Sequence, residues 1–595
     1  MIDSADRTRA EPEHPETRQP QPGSAGTPAA RRWLVPATGA AALVVIAAWV
    51  GLQLWGLGKA PFFTKGEPRE GLVVWEMTHG GGWILPKRNG VELPSKPPLF
   101  HWLAAVTALA RGATDEWSIR FPSAALSLLA LLCVLATGAA LWSARAGLIS
   151  ALVLMTTFEW ARAATNGRVD MALTFGLELA LLSLLFFQRR RTTGWLIPLY
   201  AGMTVAVLSK GPVGAALPLL VALATCALTR DVGLVRQMRL GHGLSAVSVV
   251  AGSWYVMALR QGGVEFFRKQ ALAENVFTFF NSGAFGGGHR HSVAYLFGTL
   301  VLGLLPWTLF LPGVGGQLWR ARRELSTRDC RVYLLVWIGV VFGFYALAAS
   351  KRSVYLLALY PAVALLLGWW WNERTGGAGG ADRWLARLLR AVGWPLLGTG
   401  LLLLAVVLLE SAGAPVLATT QPWLPARAQP FAPWISDAIR SGSWLLAALL
   451  LLGLAGLYGC IRAARAAHRW WIFVFTFCTV ASLLMAVREV ILPGIARHQS
   501  VRTFMADVRH VTGPAGEVSF YRTFDYAAVF YWAGHIPTYD GPLLAGAPRY
   551  LLMTKAEWHR RRAAARDHYE QIHFRGHTRS EDGVRLVLVR RVQAP

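Results

Sequence analysis

Charged residues are scarce in this chain. They make up 15% of its 595 residues, against about 25% in a soluble protein, which excludes an ordinary water-soluble enzyme of this length. Acidic side chains are scarcer still, 33 against 59 Lys and Arg, for a net charge of +26. A basic surplus can mark a nucleic-acid binder, but here Arg and Lys gather in short segments between apolar runs, the pattern that orients membrane proteins. No nucleic-acid partner is expected. Cysteine is limited to Cys133, Cys226, Cys330, Cys460 and Cys478, scattered without metal or redox spacing, so no disulfide framework is expected. No cleavable signal is evident: the first apolar run is long, lacks a clear cleavage site and should stay as an anchor. No repeat of 20–50 residues is visible.

What is abundant is hydrophobicity, 54% of residues, with a mean hydropathy of +0.39. Repeated apolar runs of about 18–25 residues read as transmembrane helices. The expected fold is a polytopic α-helical membrane protein of about 13 transmembrane helices. The expected spans are 33–57, 117–142, 146–164, 171–188, 194–209, 211–229, 243–260, 292–313, 332–349, 353–371, 390–410, 443–461 and 469–487. The stretch 98–110 is too short for a span and suits an interfacial helix in the first outer loop. With Arg31 and Arg32 on the cytoplasmic side, nearly every later Arg cluster falls on that side too. The expected domains are a disordered cytoplasmic tail over 1–30, a membrane domain over 31–487 and a small outer, soluble α/β domain over 488–595. The last alternates β-like runs such as EVSFYRTF and VRLVLVRR with a charged helical stretch.

This topology collects polar side chains at one membrane face. The first loop brings Glu67, Arg69 and Lys96, the second Arg168 and Asp170. Lys210 lies in LSKGPVG, and Lys351, Arg352 and Tyr355 lie in SKRSVYLLALYP. The loop 261–291 adds Glu274, Asn275, His289 and His291. Cations on the outer face run against the usual bias and near hydrocarbon are costly. Several loops supplying Lys and Arg with a few carboxylates suit a phosphate-bearing substrate. Each residue also has a plain alternative: Lys210 and Lys351 can snorkel, Glu67 and Asp170 can cap helices, and the histidines can be solvated. The H-x-H spacing of His289 and His291 permits a divalent metal.

The run GEPREGLVVWEMTHGGGWILPKRNGVELPSKPPLFHWL, then DEWSIRFPSA, NGRVDMALTF, LSKGPVG, GHRHSVAYLFGTLVLGLLPWTLFLP and SKRSVYLLALYP, resembles the aminoarabinose transferases. These stand in the C-type glycosyltransferase superfamily beside the protein O-mannosyltransferases. The resemblance spans roughly residues 33–371 and implies an integral-membrane glycosyltransferase of the bacterial inner membrane with its active site facing the periplasm. The donor it implies is an undecaprenyl- or other polyprenyl-phosphate sugar, and the acceptor lipid A or another periplasmic molecule. It implies Glu67 and Asp170 as the acidic catalytic residues. It implies Lys96, Lys210 and Lys351 as phosphate or acceptor contacts, and the shared membrane face adds Arg69, Arg352 and Tyr355 to them. Two positions depart from the family pattern: Gly66 stands where the first of an acidic pair is expected, and Ser95 where an acidic residue precedes K-P-P. Alternatives are a flippase for a lipid-linked sugar, an oligosaccharide ligase or polymerase, and a protein O-glycosyltransferase.

Overall fold

The computed structural model describes residues 28–64, 66–270, 291–375, 383–426, 428–466, 468–513, 516–544, 547–565, 568–574 and 585–592. The chain is mostly helical, and a small sheet forms near its C-terminal end. Among the described residues, nine helices are long and apolar enough to cross a membrane, or ten if Val293–Gly303 and Trp307–Ala321, bent by 95°, form one span.

The expected count of thirteen is therefore not reached, and the reason is length. The stretch 146–164 is broken into Ala144–Thr156 and Phe158–Ala164. The stretches 194–209 and 211–229 form Leu196–Lys210, 15 residues, and Val213–Thr229, 17 residues. At 1.5 Å per residue these fall short of the roughly 20 residues that a bilayer core asks for. The apolar stretch at 98–110 is the 13-residue helix Leu99–Arg111, closed by Gly112 in the left-handed conformation, φ 71°.

Helices Asp170–Arg190 and Leu196–Lys210 are consecutive and pack closely along their length. Gly176 and Gly202 permit this approach: a Cβ at Gly176 would lie 2.7 Å from the Gly202 carbonyl oxygen, and one at Gly202 would lie 2.6 Å from that of Gly176. The short connection Arg191–Trp195 reverses the chain, so the first residue of one helix meets the last residue of the other. That places Asp170 beside Lys210.

The C-terminal sheet has strands β1 (Val518–Tyr521), β2 (Thr538–Tyr539), β3 (Tyr550–Thr554), β4 (Tyr569–Ile572) and β5 (Leu586–Arg591), in the order β2-β1-β3-β5-β4. β1 runs parallel to β2 and β3, and β5 is antiparallel to β3 and β4. One face shares a core with the first loop: Phe520, Phe530 and Leu552 are buried together with Phe62, Leu72, Val73 and Phe100. Polar contacts fix the docking. Asn89 exchanges two hydrogen bonds with the Ile536 backbone, 2.8 and 2.9 Å, and Tyr531 donates to Glu116 at 2.7 Å.

Candidate active site

Helix Gly66–Thr78 starts with Glu67 in its first turn, where a carboxylate complements the helix dipole. Glu67 is buried and gripped on two points by Arg120, Nε to Oε1 at 2.7 Å and Nη2 to Oε2 at 2.9 Å. The Gly167 backbone N–H donates to the same Oε1 at 2.9 Å. Arg120 in turn donates to the carbonyls of Leu57 at 3.0 Å and Ala60 at 2.7 Å. One ion pair thus ties the end of the first span, the first loop, helix Glu116–Leu141 and the second loop.

Asp170 also opens a helix and is buried, but its partners are several cations. Lys210 Nζ donates to Oδ1 at 2.5 Å, Arg168 Nε lies 3.6 Å from Oδ2, and Arg352 adds a third positive charge acting on the carboxylate. The Lys210 ammonium also sits 4.8 Å from the centre of the Tyr355 ring, a cation–π distance. Tyr355 is held by stacking on Tyr345 at 5.0 Å. Lys351 is buried and donates to the Ala348 carbonyl at 2.6 Å; among the described residues no carboxylate lies within 4 Å of it.

The two carboxylates belong to one neighbourhood. Arg168 lies directly against Gly66, where a Cβ would come within 2.5 Å of Nη1. The missing side chain at position 66 is therefore the space that the guanidinium occupies.

Arg69, three residues on, contacts Glu70 through Nε at 3.3 Å and Nη2 at 2.9 Å. Lys96 is half-buried between Ser95 and helix Leu99–Arg111. Position 95 is touched by a cation: Arg88, fully buried, reaches the Ser95 hydroxyl at 3.5 Å. Its countercharge is Glu92, at 2.9 Å from Nη1. Glu92 also accepts from Tyr526 at 2.9 Å and from Lys269 at 3.3 Å. Burial raises the Glu92 carboxyl pKa, but Arg88, Tyr526 and Lys269 outweigh burial and hold it below the ordinary range.

Asp170, Lys210, Arg352 and Tyr355 are thus brought together, with Glu67 alongside through Gly167 and Arg168. Glu274, Asn275 and His289 lie outside the described residues. His291 is exposed and stacks on Tyr295 at 4.0 Å. Among the described residues no three His, Cys, Asp or Glu side chains converge as metal ligands. Sequence reasoning missed Arg120 as the partner of Glu67, although it lies inside the quoted DEWSIRFPSA segment. It also missed the pairing of Glu70 with His101, which only the fold reveals.

The chain is similar to several known membrane transferases in sequence and in fold. The family model described as dolichyl-phosphate-mannose-protein mannosyltransferase matches residues 95–255. A Pseudomonas fluorescens protein, undecaprenyl phosphate-alpha-4-amino-4-deoxy-L-arabinose arabinosyl transferase 2, is 26% identical over 73% of this chain and 74% of its own. A Shewanella sediminis transferase named for the same substrate is 24% identical over 55% of this chain, which spans 59% of that relative's length. The crystal structure of ArnT from Cupriavidus metallidurans in the apo state has a TM-score of 0.70 at 21% identity, covering 94% of this chain and 98% of that one. The same protein bound to undecaprenyl phosphate gives 0.67 at 20% identity over the same shares. The resemblance to the aminoarabinose transferases holds in sequence and in fold.

Proposed function

We propose that this chain, a relative of the aminoarabinose transferases that shares their fold, is an integral-membrane glycosyltransferase moving a sugar from a polyprenyl-phosphate donor to a lipid A-type or other periplasmic acceptor. The observation that carries this reading is the pair of cations at Asp170: Lys210 and Arg168 lie 2.5 and 3.6 Å from one carboxylate, and the charge of Arg352 acts on it as well. A site with charge to spare suits a substrate that brings phosphate.

In the proposed reaction the acceptor oxygen attacks the anomeric carbon as the bond to the carrier phosphate oxygen breaks. The leaving phosphate keeps the electron pair, and preorganised cations stabilise the charge that develops on it. Lys210 and Arg352 carry that role at Asp170, and Arg69, Lys96 and Lys351 complete the phosphate contacts. Tyr355 holds the Lys210 ammonium in place. A phosphate acceptor is already ionised and needs no base, whereas a hydroxyl acceptor needs one. Asp170 is the base in that case. Glu67 keeps the loops of the catalytic centre together. Glu274 and Asn275 belong to the substrate loop, and His289 and His291 stand as the metal candidates there. The site faces the periplasm from the inner membrane, and 488–595 forms a periplasmic domain over it.

The test is transfer by the purified full-length protein from synthetic undecaprenyl-phosphate sugars to a panel of lipid, hydroxyl and peptide acceptors. Transfer to a lipid phosphate is expected. Full activity in both Asp170→Asn and Lys351→Ala would sink the site assignment. The family model's description favours a second reading, a protein O-glycosyltransferase, and transfer to the peptide alone would select it.

A further inference from the structure

Helix Gly66–Thr78 carries a second buried carboxylate one turn after Glu67. Glu70 is 2% exposed, and its two oxygens are used differently. Oε1 accepts from Arg69, Nη2 at 2.9 Å and Nε at 3.3 Å, while Oε2 lies 2.8 Å from His101 Nε2. His101 comes from the separate helix Leu99–Arg111, is 1% exposed, and is wedged edge-on against Phe100, ring centres 5.6 Å apart. Adjacent residues on a helix do not face each other, so the Arg69 side chain must fold back over its own helix to meet Glu70. Once there it is held along one edge of its guanidinium.

Arg69 stands three residues from Gly66, on the same helical face, and Gly66 is where the Arg168 guanidinium rests. The backbone of Arg69 is thus one turn from the residue that Arg168 covers, and its charge acts on Glu70 and on Tyr526. Glu70 is too deeply buried to meet substrate, and Arg69, 28% exposed at its side chain, is not. Burial raises the Glu70 carboxyl pKa, but the charge of Arg69, the His101 hydrogen bond and the charge of Arg88 outweigh it. They keep the carboxyl well below the usual range, so Glu70 presents a full negative charge to Arg69.

We propose that Glu70 and His101 are positioning residues: His101 locks the Glu70 carboxylate, which fixes the Arg69 guanidinium in the orientation that binds the donor phosphate. This rests on Arg69 being a phosphate contact, as proposed above. The experiment is initial-rate kinetics with the full-length protein and an undecaprenyl-phosphate sugar, with thermal unfolding recorded for every variant. Arg69→Ala is expected to raise the donor KM about tenfold or more, the loss of a charge-assisted phosphate contact. Glu70→Gln and His101→Phe are expected to raise donor KM by about 3- to 10-fold with kcat changed less than about twofold, and His101→Gln, which restores a donor, to recover most of this. In the Arg69→Ala background, Glu70→Gln and His101→Phe should add less than about twofold, since one contact is lost only once.

If both substitutions multiply the Arg69→Ala defect by their full single-variant factors, the inference is overturned and the phosphate site stands. If both shift only the unfolding temperature, the same holds. An unchanged donor KM in Arg69→Ala would instead remove Arg69 from the site and overturn both. His101→Phe carries the comparison if Glu70→Gln does not fold.

Discussion

Glu67 and Asp170 are both buried, and each lies in the first turn of a helix. Glu67 meets one guanidinium on two points and one backbone N–H. Asp170 meets an ammonium at 2.5 Å, a guanidinium at 3.6 Å and the field of another. In the first case charge is matched one to one and spent on joining segments. In the second it is unbalanced, and the excess is positive. The sequence makes the two residues look equivalent, since both are acidic residues near the start of an outer loop or helix. Their surroundings give them different work.

The largest expected effect tests the matched pair. Glu67→Ala leaves Arg120 buried without its bidentate partner and is expected to cost about 3–5 kcal/mol of stability, read as a loss of folded protein in detergent. Glu67→Gln paired with Arg120→Met should recover most of that loss, because replacing both charges removes the uncompensated one. Transfer activity in the double variant then separates clasp from catalyst. Recovery of both stability and activity fits the comparison, whereas a stable but inactive double variant would make Glu67 a chemical participant.

Next comes the unbalanced cluster. Lys210→Ala is expected to lower kcat by about 10²-fold, the loss of one preorganised electrostatic contact. Asp170→Asn depends on the acceptor: with a hydroxyl acceptor the loss should be about 10²-fold or more, and with a phosphate acceptor well below that. Equal losses on both acceptors would remove the base role from Asp170 and leave it as the holder of Lys210.

Gly66 links the two regions, and a smaller effect is expected there. A Cβ at this position would press on Arg168 Nη1 at 2.5 Å, the far end of a flexible side chain. Gly66→Ala should therefore leave stability within about 1 kcal/mol while moving Arg168 enough to lower kcat/KM about tenfold. A change in stability without one in kcat/KM would show that Arg168 is not part of the working site.

The same contrast explains what could be read from the sequence. Apolar runs located helices well, because burial or lipid contact needs continuous apolar surface. The number of spans was less legible, because a run of apolar residues does not reveal where Thr157 breaks Ala144–Thr156 from Phe158–Ala164. The meeting of Asp170 with Lys210 follows from two consecutive packed helices and was within reach. The grip of Arg120 on Glu67 spans 53 positions, and that of His101 on Glu70 spans 31. No local periodicity encodes such pairings, which depend on how the first loop folds back.

Glu92 offers the smallest and most graded test. Its carboxylate joins Arg88 of the first loop, Lys269 at the end of the helical run 240–270 and Tyr526 of the C-terminal sheet region. It is neither matched one to one nor enclosed, being 38% exposed at its side chain. Its pKa is depressed in the folded protein, so its contribution is complete above the unfolded value of about 4.3 and is lost as pH falls through the lower folded value. Solvent screening keeps that contribution below about 1 kcal/mol. Hydrogen exchange across β1 and helix Tyr526–Trp532 should therefore accelerate as pH drops below about 4, after correction for the intrinsic pH dependence of exchange. Glu92→Gln should flatten this acid response without abolishing it, because Glu70 is depressed too and titrates in the same direction. An acid response unchanged by Glu92→Gln would mean that the sheet is held by its apolar core and by polar contacts such as Asn89–Ile536 and Tyr531–Glu116, and that a half-exposed carboxylate with three partners adds nothing to the docking.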